Sequence, residues 1–144
     1  MPDVKSTVEF LNRVPLFHGL KKRQLERLAN RFVSRDYKAG QAIVTQGTGG
    51  EGLFIIESGA AEVVREQSDG EKVVVNQFGP TDFFGELALL DDGLRTASVI
   101  ATEETRCLAL SRWDFSGALR DDAEMAITVL EELAKRFRRA LDAL

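Results

Sequence analysis

Between Val33 and Ser111, glycine interrupts the chain at positions 40, 47, 49, 50, 52, 59, 70, 79, 85 and 93. The apolar runs left between them have the length of strands, not helices. They are Ala42-Ile43-Val44, Leu53-Phe54-Ile55-Ile56, Ala61-Glu62-Val63-Val64, Lys72-Val73-Val74-Val75, Ser98-Val99-Ile100 and Cys107-Leu108-Ala109-Leu110. Glycine enters left-handed backbone angles without steric cost, so this spacing marks tight turns. Gly59 parts two of the runs, and Ser68-Asp69-Gly70 is a hairpin signal between two more. Many short strands joined by glycine turns specify a sandwich or a jelly-roll barrel.

Helical signals flank this region. Ser6-Thr7-Val8-Glu9 reads as a capping box opening a short helix that Pro15 ends. Leu25, Leu28, Ala29 and Phe32 make one apolar face over residues 21–33. Ser111 with Asp114 caps a helix over Phe115 to Leu119, and Asp121 with Glu124 opens a long helix to the C-terminus. That helix carries the stripe Ala126, Leu130, Leu133, Phe137, Ala140, Leu144, in alternating steps of four and three. The expected architecture is one domain over 1–144, mainly β, a jelly-roll-like β-roll. Helices occupy about 5–33, the roll about 34–111, and a hinge helix and a long helix about 112–144.

Composition narrows the function. A chain of 144 residues with net charge −4 lacks the basic excess usual for a domain seated on nucleic-acid phosphates. Lys21-Lys22-Arg23 and Lys135-Arg136 with Arg138-Arg139 read as solvated helix faces, so no direct nucleic-acid binding is expected. No apolar run approaches the roughly 18–20 residues that cross a bilayer, which points to a cytoplasmic protein without a membrane partner. Cys107, the only cysteine, falls within a strand pattern and reads as a buried thiol. His18 is the only histidine and has no ligand set around it, so no metal is expected. Asp91-Asp92 read as a solvated turn.

One stretch stands apart, Phe83-Phe84-Gly85-Glu86-Leu87-Ala88-Leu89-Leu90 and onward through Arg95-Thr96-Ala97-Ser98-Val99. Gly85 ends a strand, and Glu86 to Leu90 is one helical turn, whose free N–H groups form an anion site. A guanidinium such as Arg95 grips a phosphate well, and the N–H groups of Thr96 and Ala97 complete a cradle. Glu86 makes sense there as an acceptor for a sugar hydroxyl. An anion beside a hydroxyl describes a nucleotide without naming it.

This stretch resembles the phosphate-binding cassette of the cyclic nucleotide-binding domain family. The family includes the catabolite activator protein, regulatory subunits of cAMP-dependent kinase, cGMP-dependent kinases and cyclic-nucleotide-gated channels. The family pattern F-G-E-L-A-L, a short bend, then R-[TSA]-A-[TS]-V is matched by Phe84 to Leu89 and Arg95 to Val99. Leu16-Phe17 with Leu20, Ala39-Gly40-Gln41-Ala42-Ile43, Gln46-Gly47 and Leu53 to Gly59 extend the resemblance over nearly the whole chain. Leu94 departs from the pattern, where a proline often precedes the arginine.

The resemblance implies roles. Glu86 binds the ribose 2′-hydroxyl and Gly85 lets the backbone come close. Arg95 pairs with the exocyclic phosphate oxygens, helped by N–H groups of Leu87, Ala88 and Ala97. Thr96 stands where cGMP binders often carry a hydroxyl for guanine, although bacterial cAMP binders place Ser or Thr there too. Val75 packs on the base. The expected ligand is cAMP or cGMP, with no cofactor and no catalysis. The C-terminal helix, residues 121–144, closes as a lid with Phe137 over the base, and pairing in a parallel homodimer stays open in addition. Three outputs stay open: a stand-alone sensor, the sensor part of a transcription regulator whose helix-turn-helix lies outside this chain, or a regulatory module of a larger enzyme or channel. A metal-dependent jelly-roll oxygenase would need more than one histidine.

Overall fold

The computed structural model describes residues 3–47, 52–85 and 96–144. They fall into two compact units, residues 32–112 and a helical unit made from the segments on either side.

Among its described residues, the first unit holds eight strands. These are β1 (Val33–Tyr37), β2 (Ala42–Val44), β3 (Gly52–Ser58), β4 (Ala61–Glu66), β5 (Lys72–Phe78), β6 (Phe83–Phe84), β7 (Ser98–Ala101) and β8 (Thr105–Ser111). They form two four-stranded antiparallel sheets, in the orders β1-β8-β3-β6 and β2-β7-β4-β5. The glycine spacing leaves a sandwich or a jelly-roll barrel open, and the two sheets form the expected β-roll.

The inner faces meet in one core. Phe54, Ile56, Phe84, Cys107 and Ala109 come from the first sheet, and Ile43, Ala61, Val99 and Ala101 from the second. Cys107 is fully buried, and burial pushes its thiol up to about 12. The strand turns need their glycines. Gly59 lies at φ +96°, where an added Cβ would sit 2.5 Å from the Glu104 carbonyl oxygen. Gly70, at φ +86°, closes the β4–β5 hairpin, with its N–H donating to the Gln67 carbonyl.

The helical unit contains α1 (Val4–Leu11), a 3-10 turn (Pro15–Phe17), α2 (Lys22–Ala29), α3 (Arg112–Asp121, counted with its helix) and α4 (Ala123–Asp142). Several boundaries differ from the sequence expectation. Asp3, not Ser6, caps α1, its carboxylate accepting from the Ser6 N–H at 3.3 Å. That helix ends at Leu11, and Pro15 opens the 3-10 turn, where its missing N–H costs nothing. The chain is already extended at Val33, so α2 is shorter than 21–33.

The long helix α4 is capped by Asp122, not Asp121. Its carboxylate accepts from the Met125 N–H at 3.0 Å and from the Gln24 amide at 3.1 Å. Gln24 is itself buried and accepts from the Lys21 N–H, so one amide ties together the starts of α2 and α4. These bonds hold the Asp122 carboxyl below its ordinary value, the Met125 N–H contributing most. The cap is therefore fully present above the unfolded carboxyl's pKa and is lost as pH falls through the lower folded one.

The apolar stripe of α4 divides in two. Met125 and Val129 are buried, whereas Ile127, Leu130, Phe137, Leu141 and Leu144 are exposed. Ala126 and Leu133, expected on the same stripe as Phe137, are half-buried between them. Among the described residues, no helix is long and apolar enough to cross a membrane.

Candidate functional site

The residues leading into the cassette are set by a turn and a ring stack. Pro80 and Thr81 form the corner of a tight turn closed by the Asp82 N–H on the Gly79 carbonyl at 3.0 Å. The Asp82 carboxylate accepts from the Gly79 N–H at 2.8 Å. Thr81 sits at φ +73°, a conformation that a β-branched residue rarely adopts. Ile56 of β3 then fixes the segment through both backbone groups, donating to Asp82 and accepting from Thr81, each at 2.9 Å. Strand β6 follows, with Phe54 opposite Phe84.

The Phe84 ring lies between Phe54 and Phe78, with centroids 5.5 Å from each and nearly parallel planes. Offset aromatic stacks of this kind contribute about 0.5–1.5 kcal/mol beyond their burial. Phe84 is thereby locked to both sheets, and Gly85 follows it at φ +87°. Only glycine takes that angle without strain, so the chain leaves β6 in a direction few other residues allow.

Glu86, Leu87, Ala88 and Arg95 lie outside the described residues. The chain is described again at Thr96 and Ala97, which form a bend ahead of β7, Thr96 exposed and Ala97 half-buried. Val75 is placed by register. Val63 pairs with Asn76 and Val64 with Val74, which makes Val75 the extra residue of a bulge on edge strand β5. Val64 also pairs with Ser98 on the other side of β4. Val75 and the start of β7 are therefore two strands apart at one level, roughly 10 Å by the usual strand spacing. Phe78, three residues past Val75, carries the ring that stacks on Phe84. Val75 and the Thr96–Ala97 bend thus flank β4 on the second sheet, and Gly85 leaves β6 beside Phe84, whose ring stacks on Phe78 of β5. Phe137 belongs to the helical unit, where it is 66% exposed.

Gln46 and Ser98 add side-chain ties at this end of the second sheet. The Ser98 hydroxyl accepts from the Gln46 N–H at 2.8 Å. The Gln46 side chain accepts from the Glu66 N–H at 2.8 Å and donates to the Glu66 carbonyl at 3.1 Å. Nothing local in the sequence signals a bond between residues 46 and 98. Among the described residues, no group of three or more His, Cys, Asp or Glu side chains is arranged to hold a metal.

Comparison with known proteins gives this geometry a family. The family model described as cyclic nucleotide-binding domain matches residues 34–122. A cyclic AMP receptor protein of Thermus thermophilus is 36% identical over 126 residues, covering 88% of this chain and 58% of that protein. A CRP-like cAMP-activated global transcriptional regulator of Mycobacterium tuberculosis is 31% identical, over 91% of this chain and 58% of its own length. The chain thus spans about three-fifths of these curated relatives. Among solved structures, the N-terminal domain of a transcriptional regulator from Streptomyces coelicolor superposes with a TM-score of 0.83 at 31% identity, covering 94% of this chain and 96% of that one. The regulatory domain of Toxoplasma gondii PKA, solved with cAMP, gives 0.81 at 25% identity over 94% of this chain and 50% of that one. On the matched residues and the shared roll, this chain belongs to the cyclic nucleotide-binding domain family.

Proposed function

We propose that the chain binds a cyclic nucleotide between Gly85 and Ala97 and acts as a cytoplasmic sensor, with no catalytic step of its own. The observation that carries this reading is Gly85, turned to φ +87° directly behind the locked Phe84, where the sequence supplies the family's glutamate and arginine. In this reading Glu86 takes the ribose hydroxyl and Arg95 the phosphate, with N–H groups of Leu87, Ala88 and Ala97 completing the cradle. Val75 meets the base. The names of the relatives favour cAMP over cGMP. No cofactor takes part, and the chain makes no direct contact with nucleic acid or membrane.

The output runs through α4. Its exposed face, with Ile127, Leu130, Phe137 and Leu141, supports either a homodimer seam or a cap in which Phe137 meets the base. A ligand acts through this helix only if it binds one of its arrangements better than the other. Regulation of transcription, as in the named relatives, is the favoured setting.

Titration calorimetry of the full chain with cAMP and with cGMP tests the reading. Saturable one-to-one binding of at least one nucleotide is expected, and no heat from either at millimolar ligand would overturn it.

A further inference from the structure

We infer that Gln46 is a positioning residue for the nucleotide site, acting with Ser98 as a substitute rung between β2 and β4. The inference rests on the proposed binding site and concerns how its phosphate arm is shaped. Strand β7 lies between β2 and β4, pairing Val99 with Val44 on one side and Ser98 with Val64 on the other. At Ser98 it leaves the sheet for the Thr96–Ala97 bend, while β4 continues to Glu66. A strand left beside such a gap has backbone groups in need of partners. The Gln46 amide fills the gap, meeting both the N–H and the carbonyl of Glu66. The Gln46 N–H meanwhile holds the Ser98 hydroxyl, where β2 itself no longer pairs.

The sheet therefore stays closed without β7, and Thr96 and Ala97 are released from the ladder at a fixed point. A side chain that supplies both a donor and an acceptor at amide geometry is needed, and Gln46 supplies it. In this arrangement Gln46 acts through the bend. It sets where the backbone of Thr96 and Ala97 stands.

Amide hydrogen exchange of the ligand-free full chain, read residue by residue by NMR, tests the device without ligand. In Gln46→Ala, exchange at the Glu66 amide, which Gln46 accepts from, should quicken by about tenfold or more and the Thr96 and Ala97 amide resonances should shift, with β3 and β8 amides unchanged. Uniform acceleration through both sheets, or no change at Thr96 and Ala97, would overturn the inference. With cAMP, Gln46→Ala, which loses both bonds to Glu66, and Ser98→Ala, which loses the acceptor for the Gln46 N–H, should each weaken binding by about tenfold, and the double variant by little more, because either loss opens the same rung. Ser98→Thr, which keeps the hydroxyl, should restore wild-type affinity. Loss in Ser98→Thr equal to that in Ser98→Ala, or unaltered affinity in Gln46→Ala, would reduce the rung to a structural tie. If Gln46→Ala fails to fold, Gln46→Glu serves, since it keeps the acceptor for Glu66 and loses the donor. A wild-type chain that binds neither cyclic nucleotide would overturn the proposed function. Wild-type binding with indifferent variants would overturn only the role of Gln46.

Discussion

The central strands of the first sheet and the edge strand β5 of the second use their apolar residues in opposite ways. In the first, Gly52 to Ile56 of β3 and Cys107 to Leu110 of β8 are buried without a break. In the second, edge strand β5 leaves Val74 and Val75 about half exposed, at 50% and 47%. Single exposed valines are ordinary on any surface. What sets this pair apart is the bulge at Val75, which takes a side chain out of strict alternation on edge strand β5. The first sheet is a folding frame, and the second holds apolar surface that a flat base could cover. If that division is right, substitutions in the two sheets should separate stability from affinity.

The largest effect should come from the frame. Leu108 is fully buried in β8, and Leu108→Ala should cost about 2–5 kcal/mol, read by urea denaturation. The fraction that remains folded should bind cAMP as the wild type does. Arg95→Ala is the mirror experiment. Each charge-assisted contact to phosphate is worth about 1.5–3 kcal/mol, so affinity should fall by tens of fold or more while the denaturation midpoint stays put. A stable Leu108→Ala, or an Arg95→Ala that unfolds but still binds, would break the comparison.

The same contrast explains what could be read from the sequence. The six apolar runs all became strands, and β2 coincides with Ala42-Ile43-Val44, because burial of one face imposes a local pattern that glycine punctuates. Strand β1 left no such pattern. Val33-Ser34-Arg35-Asp36-Tyr37 is an exposed edge, defined by its ladder with β8 and by the Arg106 guanidinium at 2.8 Å from Asp36. That pair holds the Asp36 carboxyl below its ordinary value, and the information for it lies 70 residues away.

Neighbouring aspartates made the start of α4 ambiguous. Both suit a cap by residue type, and the buried Gln24 amide, from the other end of the chain, selects Asp122. Gly85 was legible as the end of β6 because that feature is local, a single backbone angle. The bulge at Val75 was not, since Lys72-Val73-Val74-Val75 is uniform and register belongs to the partner strand. The Gln46 rung is non-local in the same way.

A smaller effect tests the boundary between the sheets. Thr81, at φ +73°, holds the turn before β6 in a conformation that costs of order 1–3 kcal/mol for a residue with a side chain. Glycine relieves that strain and returns about 0.5–1 kcal/mol in chain entropy. Thr81→Gly should therefore stabilise the protein by about 1 kcal/mol, raising its melting temperature by a few degrees. Unchanged cAMP affinity would place the turn with the folding frame. A drop in affinity would mean that the strained corner helps aim Gly85.

The smallest effect concerns selectivity within the second sheet. Thr96 is exposed in the bend ahead of β7, so its side chain has little to contribute to the core and Thr96→Ala should leave stability unchanged. If its hydroxyl holds the guanine amino group, cGMP loses one neutral hydrogen bond on that substitution and cAMP loses none. One such bond is worth roughly 0.5–1.5 kcal/mol, so the cGMP-to-cAMP affinity ratio should fall by about two- to twelvefold. Thr96→Ser keeps the hydroxyl and should keep the ratio, which separates the hydrogen bond from the lost methyl group. Equal losses for both nucleotides would assign the hydroxyl to the phosphate arm, alongside the N–H of Ala97. Base selection would then fall to β5, where the half-exposed Val74 and Val75 offer shape and apolar contact but no hydrogen bond from their side chains. A receptor built that way would tell adenine from guanine weakly, since each base has an apolar face to present.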